Sequence, residues 1–210
     1  MRFDFLKERM LQELRALYRP SPEELFKILD LGRVSLPICI DLDFTLLQSS
    51  SLYFFFPQAF FGLPKLLYTQ SWAAFKWWVS MKYPINPETL PYRSFLIDFL
   101  KLCKTQNIPL VLATGASYPT AYAVGAYLNC FDHIISSTQT IHCVGSAKAK
   151  ALIDLYGENK FYYFGDSKKD LLVWKHAYSV VALDPSDAFS KRIKNFCAEK
   201  RCFFLYDRVK

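Results

Sequence analysis

From Pro91 onward the chain alternates short apolar runs with helix-length stretches, and no other feature restricts the fold so tightly. Residues 108–113 (Ile-Pro-Leu-Val-Leu-Ala), 133–136, 161–164 and 179–183 read as strands. Residues 92–105, 118–128, 146–156, 168–177 and 187–199 read as helices, and 202–206 closes the chain as a short aromatic strand. The run 108–113 is apolar throughout, which suits a strand covered on both faces. Alternation of this kind predicts an α/β fold: a Rossmann-like parallel sheet sandwiched by helices. Upstream, Leu36 to Leu42 is another buried run that ends in an acid. Ser21-Pro22-Glu23-Glu24 has the N-cap, first-turn proline and third-position glutamate of a helix start. Residues 4–18 place Phe5, Met10, Leu11, Leu14 and Leu17 at helical spacing, so a helix is expected there too.

Residues 47–90 break this rhythm. They are rich in Phe, Tyr and Trp and are interrupted by Pro57, Pro64, Pro84 and Pro87. They read as a small helical insertion, a cap, which divides the core into 1–46 and 91–210. Its rings (Tyr53 to Phe56, Phe60, Phe61, Trp72, Phe75, Trp77, Trp78) have two readings. In one they form the insertion's own core. In the other they line an apolar pocket or touch a bilayer, with Lys65, Lys76 and Lys82 facing anionic headgroups. Internal packing is the commoner use of such stripes.

At 210 residues, 52% hydrophobic and 21% charged, the chain can bury a full core. Its net charge of +7 favours anionic ligands without choosing among them. The six cysteines form neither zinc-type pairs nor a disulfide framework, so reduced thiols in the cytoplasm are the simpler reading. The charged N-terminus lacks an apolar signal core. The longest uncharged run, Thr105 to Phe131, is broken by Thr114-Gly115-Ala116-Ser117 and Pro119 and suits strand, turn and helix better than a membrane span. No basic face interleaved with stacking rings points to nucleic acid. His133, His142 and His176 lack metal-ligand spacing and read as surface or hydrogen-bonded side chains.

In a parallel sheet, ligands bind beyond the carboxyl ends of the strands. Three polar segments stand at such ends, Asp41-Leu42-Asp43-Phe44-Thr45, Thr114-Gly115-Ala116-Ser117 and Gly165-Asp166-Ser167-Lys168-Lys169-Asp170, and a fourth, Gly145-Ser146-Ala147-Lys148, lies before the strand at 161–164. Converging carboxylates repel one another and need a cation, and magnesium prefers oxygen ligands. A carboxylate can attack phosphorus, a second can shuttle the proton, and a lysine can cancel charge. Small hydroxyls and backbone amides can hold phosphoryl oxygens. Thr45, Gly115 and Ser167 are the residues expected to bind substrate in this way.

These four segments resemble the motifs of the haloacid dehalogenase-like superfamily of phosphatases. Its DxDxT motif stands here as Asp41, Asp43 and Thr45, and its second-strand motif as Thr114 and Gly115. Its lysine stands as Lys148 and its acidic motif as Gly165, Asp166 and Asp170. The resemblance spans residues 36–185 and implies a role for each. Asp41 is nucleophile and metal ligand. Asp43 is the general acid/base and gives the metal its backbone carbonyl. Thr114 binds the phosphoryl group, and Lys148 neutralises nucleophile and phosphate. Asp166 ligates Mg2+ and Asp170 supports the metal shell. Four motifs in order are far more specific than a DxDxT alone.

The wording around the motifs, Leu90-Pro91-Tyr92 and Gly145 to Leu152 in particular, is similar to one branch. That branch is the phosphatase-like domain fused in front of UbiA-type membrane prenyltransferases. The present sequence ends at Lys210 without such a domain. Phe44 stands where glycine is common, and Val144 where some relatives carry lysine, which leaves Lys150 as a rival to Lys148. The resemblance implies a Mg-dependent phosphatase acting on a small phosphomonoester, lipid-linked or otherwise bulky and apolar. Two alternatives stand beside it. One is a soluble phosphatase for phosphoserine-like metabolites. The other is a non-catalytic module that keeps the fold and associates peripherally with a membrane.

Overall fold

The computed structural model describes residues 16–55 and 71–207. Within them the expected alternation is present. The strands are β1 (Ala16–Tyr18), β2 (Ile38–Ile40), β3 (Leu110–Ser117), β4 (His133–Ser137), β5 (Tyr162–Gly165), β6 (Ser179–Leu183) and β7 (Arg201–Tyr206). The helices are α1 (Pro22–Ile28), α2 (Trp72–Lys82), α3 (Ser94–Thr105), α4 (Tyr118–Leu128), α5 (Ser146–Tyr156), α6 (Leu171–Trp174) and α7 (Asp187–Phe196). All strand pairs are parallel, in the order β1-β7-β6-β5-β2-β3-β4. The chain runs outward from β2 through β3 to β4, then returns to β2's other side for β5, β6 and β7. The crevice at the carboxyl end of β2 is therefore the topological switch point.

Apolar side chains cover both faces. One face holds Leu25, Leu29, Phe99, Leu110, Leu112 and Phe164, and the other holds Val111, Leu152, Tyr163, Trp174 and Ile193. Helix α1 starts where its sequence signals, with Ser21 Oγ accepting from Glu24 N at 3.2 Å.

The helix expected over 4–18 needs correcting at its end; the rest lies outside the described residues. Ala16–Tyr18 is a strand, paired with Phe204–Tyr206. The open edge of β7 offers a row of unpaired backbone groups, and pairing there outweighs a local helical pattern. The helix read at 168–177 is confined to Leu171–Trp174.

The insertion is helical where described, with a 3-10 turn at Ser51–Phe55 and helix α2. Phe55, Phe75 and Val79 form a small core of their own, as the packing reading expects. Helix α2 docks on the main body: Ser117 Oγ donates to Ser80 Oγ at 2.8 Å, and Trp77 stacks on Tyr118. Phe56, Phe60, Phe61 and Lys65 lie outside the described residues. Among the described residues no helix is long and apolar enough to cross a membrane.

Candidate active site

The segment after β2 turns back on itself. Leu46 N donates to Asp41 O at 3.2 Å and Leu47 N to Leu42 O at 2.9 Å, closing a wide turn. Phe44 sits inside it at φ +57°, a left-handed conformation that few bulky residues adopt. Tertiary contacts hold it there. Arg93 is buried and takes three consecutive carbonyls of this turn: Nε donates to Thr45 O at 3.0 Å, Nη2 to Phe44 O at 3.2 Å, and its backbone N to Leu46 O at 2.9 Å. The charge of Arg93 is met by Asp207 at 2.7 Å and Asp184 at 2.8 Å, at the ends of β7 and β6. Asp207 also accepts from Arg19 Nε and Gln48 Nε2.

This turn presents Asp41 and Asp43 to a cavity of about 430 Å³, which Gly115, Lys148, Asp166, Ser167 and Asp170 also line. Lys148 enters from the first turn of α5, which Gly145 opens at φ +53°. Its Nζ lies 3.0 Å from Asp41 Oδ1 and 3.7 Å from Asp170 Oδ1, and it donates to Tyr163 Oη at 2.8 Å. Tyr163 in turn donates to Asp170 Oδ1 at 2.8 Å. Asp170 Oδ2 accepts from Ser167 N, Ser167 Oγ and Asp166 N. Gly165 permits this fold of the loop, since a Cβ there would meet Asp170 Cγ at 2.8 Å.

Lys150, the rival to Lys148, points away: it is exposed and pairs with Asp154 at 2.6 Å. Two expected substrate contacts are placed otherwise. Thr45 is fully buried behind the cavity wall, and its Oγ1 donates to Asp166 Oδ1 at 3.3 Å, so it orients a carboxylate. Thr114 is also fully buried, within β3, and its Oγ1 accepts from Ala116 N at 3.0 Å; neither threonine lines the cavity. Gly115 and Ser167 do line it, with Ser167 Oγ committed to Asp170. Asp43 lines it as well, with Oδ1 accepting from Ser51 N at 2.6 Å.

Sequence reasoning missed Tyr163, which reads as an ordinary apolar strand residue, and Arg93 and Asp207, whose partners lie far along the chain. It also left Lys76 and His142 out of the site. His142 reads as a surface histidine and Lys76 as a headgroup contact, yet both line the cavity, and Lys76 Nζ donates to Gly115 O and lies 3.3 Å from His142 Nε2.

The residues present fit a divalent cation. One carboxylate oxygen each of Asp41, Asp166 and Asp170 lie within 4.8 Å of one another. Burial, then the charges of Asp41 and Asp170, push Asp166 up to about 8. Burial pushes Asp41 up to about 6 against the pull of Lys148. For Lys148 burial acts to lower the pKa, but Asp41 and Asp170 outweigh it and keep the ammonium charged. Asp41 and Asp166 thus have native values above the 3.8 usual for aspartate.

Between about pH 4 and 8 these two carboxyls hold more protons in the native metal-free protein than in the unfolded chain, so their contribution to stability falls as pH rises through that window. A cation that favours the ionised carboxylates offsets the loss. By calorimetry, Tm without magnesium is expected to fall by roughly 2–5 °C from about pH 5 to 8, and magnesium to raise Tm more at the higher pH. A Tm indifferent to magnesium at both values excludes the trio as a cation site.

No protein-family model matches the chain. An uncharacterized protein of Sinorhizobium fredii, y4nM, is 28% identical over 183 residues, which cover 83% of this chain and 35% of the relative. The chain therefore spans about a third of the curated relative it matches. Among solved structures, a HAD-family hydrolase of Salmonella enterica serovar Typhi superposes with a TM-score of 0.59 at 13% identity, covering 76% of this chain and 65% of the other. A substrate-bound phosphoserine phosphatase also superposes at 0.59, with 12% identity over 84% of this chain and 94% of the phosphatase. With a parallel seven-stranded sheet and a switch point at β2, the chain has the α/β fold of the haloacid dehalogenase-like hydrolases.

Proposed function

We propose that the protein is a magnesium-dependent phosphatase that hydrolyses a phosphomonoester through Asp41. The observation that carries this reading is the Lys148–Asp41 ion pair at 3.0 Å beside the Asp41, Asp166 and Asp170 carboxylates, at the base of the cavity. The ion pair holds Asp41 ionised and aimed, although burial alone favours its protonated form.

In the first step an Asp41 oxygen attacks phosphorus, the ester P–O bond breaks, and Asp43 protonates the departing alkoxide. In the second, Asp43 takes a proton from water, the hydroxide adds to phosphorus, and the bond to Asp41 breaks to release phosphate. Bound magnesium, held by Asp41 and Asp166 with Asp170 behind them, would cancel the charge that keeps an anionic nucleophile from an anionic phosphoryl group. The Ser51 N–Asp43 Oδ1 bond fixes the proton carrier, and the Lys148–Tyr163–Asp170 chain fixes the counter-charge.

The alcohol half of the substrate is bulky and apolar in this reading. Phe44, Leu52 and Trp72 line the same cavity, and these apolar side chains support a bulky alcohol, lipid-linked or otherwise. A phosphoserine-like metabolite, as the solved phosphoserine phosphatases suggest, is the second reading.

Release of inorganic phosphate from a generic aryl phosphate, with and without magnesium, is the test. Turnover that requires magnesium supports the proposal. Absence of turnover across a broad ester panel moves the assignment to a non-catalytic module.

A further inference from the structure

Helix α2 carries Trp72 and Lys76 one turn apart, so both fall on the same helix face, and both line the cavity. Lys76 is half-buried, its ammonium bonded to the neutral Gly115 carbonyl and close to His142 Nε2, with no carboxylate in hydrogen-bond reach among the described residues. Lys169 lines the same rim and is exposed. Three lysines and four aspartates line the cavity among the described residues. Lys148 is committed to Asp41 and Asp170 at the base. Lys76 and Lys169 are the cavity lysines that no aspartate engages by hydrogen bond or ion pair among the described residues. Partly burying an ammonium is costly, and burial accordingly lowers Lys76 to about 8. A hydrophilic rim would have been satisfied by exposed, flexible lysines. A docked helix that lowers one into the cavity beside a tryptophan is a more specific arrangement.

We infer that Lys76, with Lys169, receives a second anionic group on the substrate's alcohol half, while Trp72 covers the adjoining apolar part. This rests on the phosphatase reading and narrows its substrate to a phosphomonoester whose alcohol half carries a carboxylate or a second phosphate beside its apolar part. Lys76 is then specificity-determining and takes no part in breaking the ester bond.

Phosphonates test this without turnover. Binding of ω-carboxyalkyl phosphonates with one to four methylenes is compared by calorimetry with that of alkyl phosphonates of matching length, in the presence of magnesium. Bisphosphonates of the same lengths distinguish carboxylate from phosphate as the second group. The charged ligand of best length is expected to bind at least about ten-fold more tightly. Lys76→Gln should reduce that preference to within about two-fold, Lys76→Arg should restore much of it, and Lys150→Gln, outside the site, should retain it in full. A wild type with no preference at any length, or a preference that survives Lys76→Gln, overturns the inference. Failure of ester turnover with the binding preference intact would instead remove the phosphatase reading and leave Lys76 as a determinant of ligand binding alone.

Discussion

Asp41→Asn should abolish phosphate release, with kcat lowered by about 10⁴-fold or more, while the protein stays folded. The amide keeps the shape of the carboxylate but cannot form the bond to phosphorus. Lys148 keeps Tyr163 at 2.8 Å and Asp170 at 3.7 Å, so its ammonium is not stranded. Removal of the Asp41 charge also relieves Asp166, which burial and then Asp41 push upward, so Tm without magnesium should be equal to or above that of the wild type. The pairing of lost turnover with retained Tm separates a chemical role from a structural one. Phosphate release within about ten-fold of wild type would assign the nucleophile elsewhere.

Arg93→Met should cost about 3 kcal/mol of stability, at the lower end for a buried ion pair broken on one side, because Arg19 still serves Asp207. For a chain of this size that is a fall in Tm of roughly 6–12 °C. The cause is specific. Without the guanidinium, the buried carboxylate of Asp207 loses one cation, and the carbonyls of Phe44 and Thr45 lose their donor. Burial tends to raise the pKa of Asp207, and the Arg19 hydrogen bond with the Arg93 and Arg19 charges holds it below the usual value. Its contribution is therefore present at neutral pH and fades as pH falls through that lowered value. Arg93→Lys, which keeps the charge but not the planar fork, should fall between wild type and Arg93→Met. A Tm within about 2 °C of wild type for Arg93→Met would show that the turn holds its shape unaided.

From β2 onward the order of strands and helices, the parallel sheet and the polar segments beside its strands were legible in the sequence. Each rests on local chemistry: uninterrupted apolar runs for strands buried on both faces, and acids or glycines where such runs stop. Asp41, Asp43, Lys148, Asp166 and Asp170 could be singled out because the segments that carry them lie beside those elements and resemble the motifs of the haloacid dehalogenase-like superfamily. Orientation was not legible. Lys148 and Lys150 are two apart on one helix and so face nearly opposite ways, and only the seating of α5 on the sheet decides which enters the cavity. Thr45 and Thr114 stand at the expected positions, yet the turn and the strand direct their hydroxyls to Asp166 and to the Ala116 amide.

What only the tertiary structure decided are contacts between distant parts of the chain. Arg93 and Asp207 are 114 residues apart, and Lys76 reaches Gly115 across 39. No local pattern encodes such pairs, because a buried charge becomes favourable only where the fold has already brought its partner alongside. Strand β1 is the same case in backbone form: Ala16–Tyr18 is a strand because β7 offers an open edge there, whereas its own spacing favours a helix. The sequence by itself determined the layered sheet and the acids at its switch point. The sheet, once formed, determined which lysine meets Asp41 and how the turn carrying Asp41 and Asp43 is held.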